Sequence, residues 1–265
     1  MTEFSGRSDP ARILPLLWRH GKGGRRAATG RPARLSVDAV VSAAIRLADA
    51  EGLAAASMGR LATTLDVGTM TLYTYVKSRS DLLDLMVDQA LLDRALPGPG
   101  EARPRGWRAQ VELFGERTRA VYRSHPWLAQ VSRMRPPIGP GTIAESEYVL
   151  SVVTQTGLPL ERLSTAATVI AGFVTAAAHR DAEAELLRRA TGESNDTWWL
   201  SRAELWEWFD GTRFPTMTRI WKAGGYRRSP DQEAEESYHY GLSLLLDGIE
   251  HARPGPATEP DAGAG

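Results

Sequence analysis

Three side chains, Thr69-Met70-Thr71, form the pattern in this sequence that is best suited to contacting a DNA double helix. Side chains of this size at the leading end of a helix can reach base edges in the major groove, and a methionine can touch a thymine methyl group. The run continues with residues suited to hydroxyl and phosphate contacts: Tyr73, Thr74, Tyr75, Lys77 and Arg79. Together they predict a recognition helix.

The same run could instead be filler in a helical core. Tyr73 and Tyr75 follow the apolar Leu72 and stand two positions apart, so one helix face cannot bury both tyrosines. At least one tyrosine is therefore expected to be exposed, which favours DNA contact without excluding the core alternative. Periodicity alone leaves the two alternatives evenly weighted.

Other chemistries have little support in the sequence. The chain has no cysteine, which excludes disulfides, thiol nucleophiles and cysteine-ligated metals. His179, near Asp181, could act as a base or ligand, but no second ligand stands at metal spacing, so a helix-surface histidine is favoured. The sequence also lacks phosphate-binding glycine loops and nucleophile elbows. We predict no cofactor, no metal and no enzyme activity.

Helical periodicity predicts the elements that must position the recognition helix. Ser36 is a good N-cap for a first helix that Gly52 ends, and Ser57 caps a short second helix. A turn at Asp66, where a left-handed conformation is expected, leads into the recognition helix, from Thr69 to about residue 76. A fourth helix is predicted from about residue 80 to 95.

The Pro- and Gly-rich segment 96–105 cannot continue a helix and predicts a domain boundary. The pattern beyond it is helical, so we expect an all-α chain with an N-terminal three-helix helix-turn-helix domain and a C-terminal helical bundle. The predicted divisions are a disordered basic arm over 1–35, the head over 36–95, the body over 106–252 and a disordered tail over 253–265. No apolar run is long enough to span a bilayer, which predicts a cytoplasmic protein without membrane contact.

The charges are divided unevenly along a chain of zero net charge. Residues 1–80 hold 12 Lys/Arg and 6 Asp/Glu, so the remaining residues hold 20 and 26. A basic head on an acidic body suggests that only the head meets a polyanion, although a basic tail without a partner is the alternative. Arg31 and Arg34 stand close enough to the first helix to reach an adjacent minor groove.

Several short motifs carry a resemblance to a known family. They are Ala43-Ala44, Ala48 to Gly52, Ser57-Met58, Leu61-Ala62, Val67 to Val76 and Ser80 to Leu85. Together they resemble the N-terminal domain of the TetR family of bacterial regulators, and 124–128 and 245–249 resemble its C-terminal domain. Asp66 departs from the family's usual turn glycine, and Gly59 stands where some members carry a base-reading arginine.

The resemblance implies roles for individual residues of the recognition helix. Thr69 and Met70 are expected at base edges, whereas Thr71, Tyr73 and Arg79 are expected at phosphate oxygens. The helix N-terminus at Ser57 is a further phosphate site. Thr74 also faces DNA, and Tyr75 could contact either a base or the backbone.

Seven of the eight tryptophans follow residue 100. Aromatic residues at helical spacing are usually core, but a surplus of this size also fits an apolar effector pocket between helices. The predicted pocket residues are Phe114, Tyr122, Trp127, Tyr148, Phe173, Trp199, Trp206 and Phe209.

Two apolar helices, 158–179 and 238–249, could form a dimer interface, as the resemblance implies, or the core of one subunit. The predicted interface residues are Ile170, Val174, Leu242, Leu245 and Ile249. The leading hypothesis is a ligand-responsive regulator, with repression as the favoured activity. It is predicted to bind a palindromic operator as a homodimer and to be released by a small apolar effector. The alternatives are an architectural DNA-binding protein and a helical enzyme with a DNA-binding head.

Overall fold

The structure is a computed structural model that describes residues 2–21, 35–202 and 204–253, the side chain of Trp206 excepted. Its N-terminal elements are β1 (Glu3–Phe4), α1 (Pro10–Leu17), α2 (Val37–Glu51), α3 (Met58–Thr64), α4 (Thr69–Tyr75) and α5 (Arg79–Leu92). The body comprises α6 (Trp107–Ser124), β2 (Val131–Ser132), α7 (Pro140–Val153), α8 (Leu160–Thr191), α9 (Asn195–Leu200), α10 (Leu205–Trp208), α11 (Pro215–Lys222) and α12 (Pro230–His251). The all-α prediction is confirmed, since β1 and β2 are two-residue strands.

Local signals set the helices of the head. The Ser36 side chain accepts a hydrogen bond from the Ala39 amide at 3.1 Å, and Gly52 ends α2 with a positive φ of 88°. Asp66 turns the chain between α3 and α4 with φ of 52°, the left-handed conformation that the sequence predicted. Leu72 and Val76 are fully buried, which anchors α4 to the head.

Residues 2–21 are folded, which corrects the prediction of a disordered arm over 1–35 for this part of it. β1 pairs with β2 in parallel, with Glu3 opposite Val131. Asp9 caps α1, where Pro10 supplies the preset φ of a first helical residue, and Ile13 and Leu17 are buried one turn apart. The cap and this spacing were readable signals, but the interior Pro15 obscured them. Residues 22–34, with Arg31 and Arg34, lie outside the described part, as do residues 254–265 of the predicted tail.

The head and the body share a hydrophobic core. One cluster of buried residues extends from the head to Tyr122 of α6, to Trp127 after α6, and to Ala178 and Ala182 of α8. A second cluster lies within the body between α6, α7, α8 and α12. The boundary predicted at 96–105 falls inside the connection between α5 and α6, but the packing of the two parts is continuous. Over the ranges that the structure describes, no helix is long and apolar enough to cross a membrane.

Candidate DNA-binding surface and effector cleft

The exposed side of α4 brings together five of the eleven predicted DNA-facing residues. Thr69, Thr71 and Thr74 are exposed, and the Met70 side chain is 79% exposed. Tyr73 is exposed at the same surface, whereas Tyr75 is half-buried against the head core. Because Leu72 is buried in the head, it holds α4 in place with Met70 and these polar side chains facing outward.

Ser57 and Lys77 flank this surface. The Ser57 hydroxyl accepts a hydrogen bond from the Arg60 amide at 3.3 Å and so caps α3. The Lys77 ammonium is exposed and makes no ion pair with another described residue. By contrast, Arg60 of α3 is paired with Glu51 at 2.7 Å. Lys77, between α4 and α5, is therefore available to bind a phosphate.

Arg79 has a different position from the one predicted. Its guanidinium binds both carboxylate oxygens of Glu3, at 2.8 and 3.3 Å, and also donates to the carbonyls of Leu53, at 2.9 Å, and Ala56. These bonds use four of the five N–H donors of the guanidinium. Arg79 is thus a structural residue that closes the head, which corrects its assignment to phosphate. Glu3 lies 76 positions away, so sequence periodicity carried no signal of this pair.

The N-terminal segment, defined here as residues 2–21, attaches to both the head and the body. Arg12 binds the Asp81 carboxylate at 2.8 and 3.0 Å. The Gly6 amide donates to Asp84 of α5 at 2.7 Å, and the Ser5 hydroxyl donates to the Ser132 carbonyl at 3.0 Å. Burial acts to raise the pKa of Asp81, but hydrogen bonds led by that of Arg12 outweigh burial and hold this pKa below its usual value.

Buried polar groups also join α5 to the body. Arg94, 1% exposed, binds Glu145 of α7 at 2.6 Å, and Arg133 binds the same carboxylate at 3.1 Å. Burial acts to raise the pKa of Glu145, but the two guanidinium groups outweigh it, and the pKa lies below the usual range. Asp88 accepts from the Thr142 amide at 3.1 Å. These contacts hold the end of the head against α7. Separating the two would leave buried charges without partners, which costs stability.

A cleft of about 580 Å³ lies between α6 and α12. Its lining is Arg108, Glu112, Glu116, Arg119 and Arg123 from α6 and Glu235, Tyr238, His239, Leu242, Ser243 and Leu246 from α12. Arg119 binds Asp181 at 2.7 Å and Glu235 at 2.5 Å. The hydrogen bond from Arg119 is the main cause that lowers the pKa of Glu235 to about 2. The cleft therefore combines ion pairs with an apolar wall.

The C-terminal part of the chain matches a known family. Residues 99–253 match the family described as tetracyclin repressor-like, C-terminal domain. The chain belongs to the TetR family of transcriptional regulators. It is 38% identical over 252 residues to the HTH-type transcriptional repressor DrrR1 of Streptomyces coeruleorubidus, which covers 94% of this chain and 88% of that protein.

Solved TetR-family structures share this fold. The Streptomyces coelicolor ActR complex with actinorhodin is 27% identical, with a TM-score of 0.67, and covers 82% of this chain and 96% of ActR. The ActR complex with (S)-DNPA is also 27% identical, with a TM-score of 0.63, and covers 84% of this chain and all of ActR. TetR-family regulators bind DNA, form homodimers and bind small-molecule effectors, and they are not enzymes. The enzyme alternative is therefore set aside.

The TetR-type body uses the predicted pocket aromatics differently. Phe114 and Tyr148 stack in the body core with ring centroids 6.4 Å apart, and Tyr122 and Trp127 are buried between head and body. Phe173 is half-buried behind the cleft, stacked on Tyr238 at 5.9 Å. Trp199 lines a separate cleft, Phe209 packs on Phe214 at 5.2 Å, and the Trp206 side chain lies outside the described part. None of the predicted residues whose side chains are described lines the α6–α12 cleft, because these aromatics found partners within the fold.

Four of the five predicted dimer residues need correction, whereas Leu245 stays a prediction. Ile170, Val174, Leu242 and Ile249 are buried in the body core, and Leu245 is half-buried against it. A side chain buried in its own subunit cannot reach a partner. Helical periodicity located the apolar helices correctly but selected their inward faces. The outward faces of α8 and α12 expose Val169, Tyr240 and Leu244 instead.

Proposed function

We propose that this regulator represses transcription by binding a palindromic operator as a homodimer through α4, and that a small molecule in the α6–α12 cleft releases it. The observation that carries the proposal is the exposed Thr69-Met70-Thr71 tip on a helix that buried Leu72 holds in place. A two-fold dimer presents two such tips, so the operator must share that symmetry.

Homodimer formation is proposed to use the outward faces of α8 and α12. Val169, Tyr240 and Leu244 supply exposed apolar surface there, and Gly172 leaves open space for a close approach. Apolar surface of this kind on a monomer commonly marks an interface. The proposed pair of helices is the predicted one, with the opposite faces in contact.

Release by an effector requires a route from the cleft to the head. The effector must bind more tightly to a geometry in which the two α4 tips are wrongly spaced. Movement of α6 can reach the head through the shared core at Tyr122 and through the Arg94–Glu145 contact, which joins the segment after α5 to α7. Coupling of about 1–3 kcal/mol corresponds to roughly a 5- to 150-fold loss of DNA affinity. The open cleft favours this function over an architectural protein, which needs no effector site.

Selection of bound DNA from a random pool tests the proposal. The expected product is an inverted repeat with half-sites spaced about 34–36 Å, or a multiple of that distance. Met70→Ala should alter the preferred base at one step of each half-site, because Met70 contacts a base edge. Lys77→Ala is the matched control, which should weaken all sequences about equally and reduce the salt dependence of binding.

Two results would contradict the DNA assignment. Selected DNA without an inverted repeat would refute binding by a two-fold dimer. If Met70→Ala and Lys77→Ala had the same effect on every sequence, α4 would not separate base contacts from phosphate contacts, and the assignment of roles would fail.

A further inference from the structure

The α6–α12 cleft contains two carboxylates that no cation of the described residues neutralises. Glu112 and Glu116 are exposed on α6 one turn apart, and neither makes an ion pair with another described residue. Like charges at this spacing lower helix stability. The α6 side of the cleft therefore presents two adjacent carboxylates that are available to a ligand.

The arginines that could neutralise these carboxylates are engaged elsewhere. Arg108 stands four positions before Glu112, but it binds Asp247 at 2.8 Å and also Glu250. Arg119 stands three positions after Glu116, but it binds the carboxylates across the cleft and on α8. Once these pairs are set aside, two carboxylates without an ion pair, Glu112 and Glu116, and one such arginine, Arg123, remain in the lining of the cleft. A positively charged ligand would reduce this imbalance.

A buried phenol points to a ligand at the same place. Tyr238 is 4% exposed, stacks on Phe173 and carries the Arg119 guanidinium 4.4 Å above its ring. Its hydroxyl lies against Gly115, between the two glutamates in sequence, where any Cβ would collide with it. This hydroxyl forms no hydrogen bond to another described residue, and Tyr238 lines the cleft, so the hydroxyl can bond to a ligand there.

The phenol remains neutral and able to bond. Burial is the main cause that raises the pKa of Tyr238, and nearby Glu112 adds to the rise. The hydroxyl can therefore accept one hydrogen bond and donate another. On the α12 wall, Leu242 and Leu246 offer apolar surface beside it.

We propose that the cleft binds an organic amine, whose ammonium group lies between Glu112 and Glu116 and whose apolar body packs on Leu242 and Leu246. An ammonium has three donors, which match two carboxylates and the Tyr238 oxygen. The volume of the cleft lies within the rough 300–1,000 Å³ range of small-molecule sites. This inference rests on the proposed function, because it names the chemical class of the effector that the cleft takes.

Calorimetric titration of the full-length protein tests the amine site with matched ligands. The probes are tryptamine and 9-(aminomethyl)anthracene, and each is compared with its alcohol, tryptophol or 9-anthracenemethanol. Indole-3-acetate is the anionic counterpart, because the unpaired Arg123 at the far end of the cleft could attract a carboxylate. At least one amine should bind once per chain and roughly tenfold or more tighter than its alcohol, as charge-assisted hydrogen bonds allow.

Variants of the cleft assign the preference to its residues. Glu112→Gln with Glu116→Gln should abolish the preference for the amine, and Tyr238→Phe should weaken it several-fold. Glu161→Gln is the matched control, since Glu161 is an exposed glutamate at the start of α8 and outside the cleft. The proposal is overturned if neither amine binds, if the alcohol or acid binds as well, or if the double variant keeps the preference.

Operator binding measured on the same protein separates the two proposals. An amine that binds in the cleft and lowers operator affinity supports both. An operator-binding protein that no amine occupies overturns the amine site and leaves DNA binding standing. A protein that binds the amine but no inverted repeat overturns the proposed function and leaves the amine site standing.

Discussion

The N-terminal segment and the tryptophan-rich segment, residues 195–222, reverse what their compositions suggest. The first is short, charged and interrupted by proline, yet Leu17 is only 4% exposed. The second carries five tryptophans, yet Trp208 is 85% exposed and no residue of α9 or α11 is buried. Apolar content alone did not decide which segment packs against the protein.

The difference lies in the partners that each segment finds. Several ion pairs of the N-terminal segment reach a distant element, such as Arg12 to Asp81 and Glu3 to Arg79. The tryptophan-rich segment consists of short helices whose contacts are mostly within the segment, such as Arg202 over the Trp198 ring at 3.8 Å. Whether a segment packs against the protein therefore depends more on the contacts it makes with distant elements than on its own hydrophobicity.

Truncating one leucine in each segment gives the largest expected contrast. Leu17→Ala should lower the free energy of unfolding by roughly 2–5 kcal/mol, because it leaves a cavity beneath α1. Leu200→Ala removes the same atoms from a side chain that is 73% exposed and should change stability by less than about 0.5 kcal/mol. Denaturant unfolding of both variants measures the contrast, and equal losses would remove the distinction between the segments.

Removing the α5 arginine that binds the N-terminal segment should give a smaller contrast with removing an arginine of the tryptophan-rich segment. Arg79→Ala leaves Glu3 unpaired and the Leu53 and Ala56 carbonyls without their donor, so we expect a loss of about 1–3 kcal/mol. Arg202→Ala is the control, because the Arg202 guanidinium is exposed and its contacts are local. Thermal unfolding in the absence of DNA is the decisive measurement. If Arg79→Ala weakened operator binding while leaving the unfolding temperature unchanged, a phosphate role would be restored.

Acid should loosen the N-terminal segment by the smallest amount. Because the folded protein lowers the pKa of Asp81, its contribution is fully present above the unfolded value of about 3.9 and is lost as pH falls through the folded value. Arg12→Gln should therefore flatten the pH dependence of stability below about pH 4. Asp210→Asn offers a control in the tryptophan-rich segment, where the carboxylate is exposed and contacts only neighbours in sequence. An unchanged acid profile in Arg12→Gln would show that the pair contributes nothing measurable.

The sequence by itself determined the features that depend on neighbouring residues. The caps at Ser36 and Ser57, the left-handed turn at Asp66 and the buried Leu72 all follow from short-range hydrogen bonding and helical periodicity. Exposure of Met70 follows as well, because burying Leu72 turns the other side of α4 outward. The DNA contacts assigned to that surface remain predictions.

Only the tertiary structure decided which distant groups meet. Glu3 and Arg79 are 76 residues apart, and Ser5 reaches across 127 residues to Ser132, separations at which periodicity carries no information. Periodicity also cannot tell whether the apolar face of α12 meets its own core or a partner, so Leu242 was assigned to the wrong surface. The charges of the cleft are also decided by the tertiary structure. Which carboxylates of α6 remain without an arginine depends on where α8 and α12 place their own charges.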